Sequence, residues 1–480
     1  MAVQPQLANA PGRVLSTLNE DGSRRWIRPR PSPGAWWQAR RVLAYVLMFV
    51  FFAIPYLRIG GKPPILLDLP AREFTLFGTT FLPTDTLLFM LLFVSSGILI
   101  FLVTTLFGRV WCGWGCPQTV YMEFLFRPVE RALEGGFRGS LRMDRRGGLS
   151  PRRVLKLVIY FGLSMFLAHT FLAYFVGIDR LVQWVQGSPH DHPVAFVVMA
   201  GTTLAIFIDF SWYREQTCLV ACPYGRLQSV LFDRSTLIVA YDPARGEPRM
   251  PGTNPRPGGA GDCIDCGNCT RTCPTGIDIR DGLQMECVHC TQCIDACDEI
   301  MVNIGKPKGL IRYASQNGLA GRPGRLLRTR TILYPIALCL SLGLFMFFLD
   351  NRATTEVTLL RGTGALYQDY DAQSVVSDVR LKFSNRNRDE HRYRIEIVGG
   401  GETRLIAPLN PFPVPGGHTL TATVFVVSPR SSFSGGHRHV MFRVEDGHGF
   451  GRNYVHPLAG PQEAPGVPAN SAQPGKGSAR

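Results

Sequence analysis

Cys263-Ile-Asp-Cys266-Gly-Asn-Cys269-Thr-Arg-Thr-Cys273-Pro274, followed by Cys287-Val-His-Cys290-Thr-Gln-Cys293-Ile-Asp-Ala-Cys297, sets the reading of the whole chain. Each stretch is a C-x2-C-x2-C-x3-C run, the spacing with which bacterial ferredoxins hold two [4Fe–4S] clusters. In that pattern three thiolates wrap one cubane and the fourth reaches across to the other. Cys263, Cys266, Cys269 and Cys297 are therefore the expected ligands of one cluster, and Cys287, Cys290, Cys293 and Cys273 those of the second. Zinc sites need four ligands in two short pairs, not eight in two matched fours. The chain is expected to move electrons.

Working outward, the apolar residues, 46% of the 480-residue chain, lie in blocks. Five stretches are long enough, or nearly so, to cross a bilayer: Val42–Leu57, Thr86–Phe107, Val154–Ile178, Val194–Phe210 and Ile332–Leu349. Trp36, Trp37, Trp212 and Tyr213 extend the two short ones as interfacial anchors. Arginines crowd the segment before the first helix and the loops after the second and fourth, while the other two loops are nearly balanced. That bias over five crossings puts the N-terminus and the cysteine runs in the cytoplasm and everything after Asp350 outside. The net charge of +15 then belongs to membrane-flanking loops and does not call for nucleic acid. The polar N-terminus lacks a small-residue cleavage site, so the first helix reads as an uncleaved anchor. A reducing compartment also suits thiolates held by metal better than disulfides.

The expected organisation is an N-terminal segment over 1–41, judged loose, then four helices over 42–240. A Pro/Gly/Arg-rich linker over 241–260 would let the following module move or dock against the membrane face. The ferredoxin module and a basic connector occupy 261–331, the fifth helix 332–349, an outer β-domain 350–460 and a disordered tail 461–480. In the β-domain, Val379–Phe383, Tyr393–Ile397 and Leu420–Val427 alternate as half-buried strands do, and His439–Val444 is compatible, which predicts a β-sandwich. The fold class is thus a five-helix membrane bundle carrying a cytoplasmic two-cluster module and a C-terminal sandwich.

A second set of cysteines forms an internal echo. Cys112-Gly-Trp-Gly-Cys116-Pro117 follows the second helix and Cys218-Leu-Val-Ala-Cys222-Pro223 the fourth, each with a Leu-Phe pair at matching offset. Residues i and i+4 share a helix face, and a proline fits the first turn of a new helix, so each motif reads as a break near the membrane surface. A duplicated hairpin would bring both pairs near a pseudo-two-fold axis. Soft thiolates favour Cu(I), zinc or an iron–sulfur cluster, and a dithiol also cycles with a disulfide. Cys112, Cys116, Cys218 and Cys222 are the candidate copper or redox dithiol site; the alternative is four small buried hydrophobes. Cys339 stands alone in the fifth helix and reads as inert packing. Among the histidines only His169 lies in a span, with His190 and His192 near its outer end, so a facing pair of haem ligands is missing. His289 is expected to shape cluster surroundings, and His418, His437, His439, His448 and His456 to be surface residues without a copper-binding pattern.

These features together resemble the FixG/RdxA/CcoG family of membrane iron–sulfur accessory proteins of cbb(3)-type cytochrome c oxidase. The matching stretches are Val110-Trp-Cys-Gly-Trp-Gly-Cys-Pro-Gln-Thr-Val, Cys222-Pro-Tyr-Gly-Arg-Leu-Gln-Ser-Val, Tyr241-Asp-Pro-Ala-Arg-Gly-Glu-Pro-Arg, Gly261-Asp-Cys-Ile-Asp-Cys, Cys293-Ile-Asp-Ala-Cys-Asp-Glu-Ile-Met and Gly305-Lys-Pro-Lys-Gly-Leu-Ile-Arg-Tyr. Asp298 stands where ferredoxins carry proline after the last cysteine, a feature the family shares. The resemblance covers Trp36 to Gly451 and implies an immunoglobulin-like outer domain. It also implies a part in building the oxidase, by reducing Cu(II) to Cu(I) for its copper centre, with the oxidase or its copper-delivery factors as partners and an unnamed electron donor. The paired C-x3-C-P motifs are also similar to those of the NapH and NosR groups, which implies a quinol-linked electron-transfer subunit as the alternative. A third reading is a copper-binding scaffold that keeps its clusters for structure alone.

Overall fold

The computed structural model describes residues 15–461 apart from 20, 22, 60–62, 70–72, 83–84, 149, 253–260, 323–326 and 388. The expected disordered tail therefore lies outside the described residues, as do the first fourteen positions and 253–260 of the expected linker. The chain divides into two units, Met1–Asp350 and Asn351–Arg480.

Among the described residues of the first unit, five helices are long and apolar enough to cross a membrane: Ala35–Tyr56, Thr86–Phe107, Pro151–Val176, Pro193–Tyr213 and Thr329–Asp350. Their outward faces carry exposed apolar side chains, Phe49, Phe93 and Val197 among them, as lipid-facing surfaces do. The first helix starts at Ala35, seven residues ahead of the apolar stretch, because Arg40 turns inward instead of toward water. It is buried, donating from Nε to the Gly113 carbonyl at 2.9 Å and from Nη1 to the Cys290 carbonyl at 2.8 Å. The second and fifth helices meet through Ser95 and Ser341, whose hydroxyls lie 2.8 Å apart beside Leu88, Leu91 and Phe345. Cys339 corrects an expectation: its side chain is exposed on the fifth helix, not packed. A three-stranded meander (Ile65–Asp68, Glu73–Leu76, Thr79–Phe81) and a short helix, Ile178–Gln186, fill the two balanced loops.

The two echo units exchange partners. The helix ahead of the first motif reaches the segment after the second, with Thr104 Oγ1 and the Tyr224 hydroxyl 3.3 Å apart. In return, Phe126, after the first motif, stacks on Phe210, ahead of the second, with ring centroids 4.2 Å apart. The Tyr160 hydroxyl locks this pair by donating to the Phe126 carbonyl at 2.9 Å.

Two expectations are corrected in the soluble part of this unit. The stretch expected as a linker begins inside the module: Ile238–Tyr241 pairs antiparallel with Ile311–Ala314. Composition suggested a loose segment, but the Arg245 guanidinium fastens it, bonding Asp262 Oδ2 at 2.6 Å and the Lys308 carbonyl at 2.9 Å. The N-terminal segment, judged loose, is a strap from residue 15 onward. Ser16 N donates to Glu286 at 2.7 Å and Ser16 Oγ to the Thr275 carbonyl at 2.7 Å. Arg30 N donates to the Arg271 carbonyl at 2.9 Å, and Thr272 Oγ1 to the Arg30 carbonyl at 2.8 Å. Backbone groups satisfied across such sequence distances do not show in composition.

The second unit is a sandwich of two antiparallel sheets. One runs in the order Arg404–Ile406, Thr419–Pro429, Ser374–Asn385, Thr355–Arg361, and the other Phe412–Val414, His391–Val398, His437–Glu445, Gly451–Ala459. Alternate residues of facing strands, such as Val379, Leu381, Phe383, Tyr393, Ile395, Val424, Phe442 and Val444, make the core. All four alternating stretches read from the sequence lie in these strands.

Candidate electron-transfer site

The two cysteine runs take the same backbone path. The residue before the second cysteine of each run is left-handed, Asp265 and His289 both at φ 52°, and so is the residue after it, Gly267 at 65° and Thr291 at 61°. A β-branched residue rarely adopts this conformation, so Thr291 marks a loop wrapped tightly for a purpose. Each run then opens a helix, Asn268–Thr272 or Gln292–Asn303, that carries its third cysteine.

Two cavities result. One is lined by Cys263, Cys266, Cys269 and Cys297 beside Tyr241 and Met301. The other is lined by Cys273, Cys287, Cys290 and Cys293 beside Val239 and Ile277, and Cys269 lines both. The crossed pairing expected from the spacing is thus the one the fold brings together. Burial pushes the Cys297 thiol up to about 12, with Cys269 nearby adding to it, and burial likewise pushes Cys287 up to about 12. A desolvated thiol gives up its proton only to a metal's charge, so two pockets of four converging thiols fit two [4Fe–4S] clusters.

The four remaining motif cysteines also converge, each within electrostatic reach of others across the two motifs. Cys116 and Cys222 occupy the expected breaks: both have extended backbone, and Pro117 and Pro223 open the next helices. Cys112 is buried, its thiol donating to Gln228 Oε1 at 3.4 Å with Arg109 Nη2 4.0 Å away. Burial pushes Cys218 up to about 12, with Cys116 and Cys112 adding to it. Burial also raises Cys116, against the N–H groups of Gln118 and Thr119 that favour its thiolate. Among the described residues no three His, Cys, Asp or Glu side chains close on a single metal ion.

The ferredoxin module is seated on this second site. Cys112, Val288 and Cys290 form one buried cluster with Tyr224 packed on it. His289 Nδ1 accepts from the Arg109 backbone N–H at 3.0 Å, and its ring stacks on Phe232. Burial and the Arg109 charge hold that imidazole neutral, its pKa lowered to about 3. Asp295, in the second run, accepts from the N–H groups of Trp36 and Trp37 and so caps the first membrane helix. Arg40, Arg109, Gly108, Gly113 and Gln228 were not singled out in the sequence as site residues. The two arginines looked like orientation charges, and the glycines of Cys-Gly-Trp-Gly-Cys were the available signal.

Next to Cys218 lies a buried ionic layer. Arg214 bonds Glu130 through two nitrogens at 3.1 Å each, Lys156 reaches Glu134 at 2.6 Å, and Arg127 pairs Glu123 at 2.7 Å. Arg28 of the strap also bonds Glu130. His169 and His192 line a separate cavity with Trp184 and Met199. His169 lies 13 residues past Lys156, roughly 20 Å farther along its helix at 1.5 Å per residue, outside the reach of the cysteines. In the outer domain His391 pairs with Asp446 at 2.8 Å, and His437 and His439 stand exposed on one strand.

Comparison with known proteins gives three family profiles. One described as "4Fe-4S dicluster domain" covers 213–316, one described as "4Fe-4S binding domain" covers 87–135, and one described as an IG-like fold at the C-terminus of FixG covers 345–454. Protein RdxA of Cereibacter sphaeroides is 33% identical over 396 residues, 79% of this chain and 83% of its own length. Nitrogen fixation protein FixG of Rhizobium meliloti is 34% identical over 320 residues, 64% of this chain and 60% of its own. Ferredoxin-type protein NapH of Haemophilus influenzae is 25% identical over 297 residues, 55% of this chain and 89% of its own.

Proposed function

Since the chain belongs to the FixG/RdxA family of iron–sulfur electron-transfer proteins, we propose that it passes single electrons from its ferredoxin module to the membrane-motif cysteines, and there reduces Cu(II) to Cu(I) for the copper centre of a cbb(3)-type oxidase. The observation that carries this is the seat of Val288 and Cys290 on Cys112. When bound, [4Fe–4S] clusters take up and release one electron at a time. The protein's part is to hold the two cysteine sites in contact. Arg40 ties the Gly113 and Cys290 carbonyls together, Arg109 and His289 fix the loop, and the apolar cluster keeps water from between them. One electron converts one Cu(II) to Cu(I), and sulfur donors favour that product over the cupric ion. The cysteine face is assigned to the cytoplasm and the outer domain to the periplasm on the arginine bias of the loops. The oxidase or its copper-delivery factors are the proposed partners.

The test is anaerobic. The detergent-solubilised protein is reduced, freed of excess reductant, and given Cu(II) with a Cu(I)-specific chelator. Chelated Cu(I) should match cluster reoxidation electron for electron. The rate should fall about ten-fold or more in Cys112→Ser/Cys116→Ser while the eight ferredoxin cysteines keep their iron. Unchanged reduction in that variant removes the membrane cysteines from the path. The NapH relative supports a second reading, a quinol-linked subunit; reduced protein that ignores copper and is reoxidised by a quinone would select it.

A further inference from the structure

We propose that Cys112, Cys116, Cys218 and Cys222 together hold a third [4Fe–4S] cluster, in contact with the second.

The first argument is count. The profile described as a 4Fe-4S binding domain covers 87–135, and that stretch contains two cysteines, Cys112 and Cys116. A cubane takes four thiolates. The partner exchange between the echo units delivers the missing two, since Cys218 and Cys222 are the thiols that converge on the first pair.

The second is spacing. A tetrahedral ion draws its sulfurs in to about 2.3 Å from one centre, whereas cubane ligands stand apart at the corners of a larger body. Among the described residues no three ligating side chains close on a single ion, and that holds for the two ferredoxin sets as well as for this one.

The third is charge. Arg109 Nη2 lies 4.0 Å from Cys112 Sγ, and a Cβ on Gly225 would stand 2.9 Å from both that nitrogen and the Cys218 carbonyl, so the glycine makes room for the guanidinium. On the other side the cavity that Cys218 lines carries Arg40, Arg127 and Arg214 against Glu123 and Glu215. A cubane with four thiolates carries net negative charge, which the Arg109 guanidinium beside Cys112 helps to compensate.

This site would make the contact at Cys290 a junction between two cofactors, with copper meeting the electron at the far edge of the third. The role rests on the electron-exit reading above; the occupancy does not, and is tested without copper. Full-length protein, purified anaerobically in detergent and reconstituted with iron and sulfide, should hold about 12 iron atoms per chain, against about 8 for two cubanes. Cys218→Ser/Cys222→Ser should return it to about 8 with the two-cluster EPR signal of the ferredoxin module intact. Spin integration of the fully reduced wild type needs no variant and should give about three spins per chain. About 8 iron atoms and two spins in the reconstituted wild type would overturn the proposal. So would copper bound one per chain at these cysteines without loss of iron.

Discussion

Gly113 has room for a hydrogen atom and nothing larger: a Cβ there would stand 2.6 Å from the carbonyl oxygens of both Val288 and His289. Gly108 is held the same way, at φ 59° and with a Cβ position 2.6 Å from His289 Cε1. The two glycines thus let the ferredoxin loop come down onto the membrane motif at backbone distance. Forcing a side chain into such a contact costs about 1–3 kcal/mol and is relieved here by lifting the loop. Gly113→Val should therefore keep its iron and lose about ten-fold or more in Cu(II) reduction, read in the chelator assay beside an iron determination. Iron loss in step with activity would mean that the loop was broken, not lifted. The grouping of the eight ferredoxin cysteines about two cavities was legible because their spacing along the chain constrains which can meet. Arg40 and Arg109 were not, because an arginine facing a carbonyl and one facing lipid headgroups look alike in sequence.

Between elements, the buried ionic layer fixes the segment after the first motif to the segment ahead of the second. Burial alone would push Glu123 up, but the charges of Arg127 and Arg131 outweigh it and hold the carboxyl at about 2. Glu130 is likewise held well below the usual carboxylate range, burial being overcome by Arg214, Arg28 and Lys156. A carboxyl whose folded pKa is depressed contributes stability that is complete above its unfolded value near 4.5 and lost as pH falls from there. Removing one partner of a buried pair leaves the others uncompensated, at about 3–5 kcal/mol. Glu130→Gln should therefore lower the thermal midpoint in detergent at pH 7, and the gap to wild type should narrow as pH drops below 4.5. A gap that stays constant with pH would mean that packing, not charge, is what Glu130 provides. The echo in the sequence announced two matched halves, and the matched breaks at Pro117 and Pro223 follow from proline chemistry. The exchange of partners between the halves was out of reach, since it depends on contacts such as Phe126 on Phe210 that no local pattern encodes.

For the whole molecule, the topology proposed from the arginine bias, with the cysteine face in the cytoplasm, is open to a direct test. Alkaline phosphatase fused after Asp350 should be active and the same enzyme fused after Phe232 inactive; the reverse pattern would invert the topology. The helices and the sandwich were legible from apolar runs and alternation. The strap and the fastened linker were not, because their bonds join residues far apart in the chain. Ser16 meets Glu286 across 270 positions, and Gly276 lies against Ile27, so the strap closes over the stretch between the two cysteine runs. At about 5–20 residues per second, roughly a quarter of a minute to a minute separates the synthesis of the two ends. The strap therefore waits without its partners until Thr275 and Glu286 are made, and it is a latch that cannot close before the first cysteine run is complete.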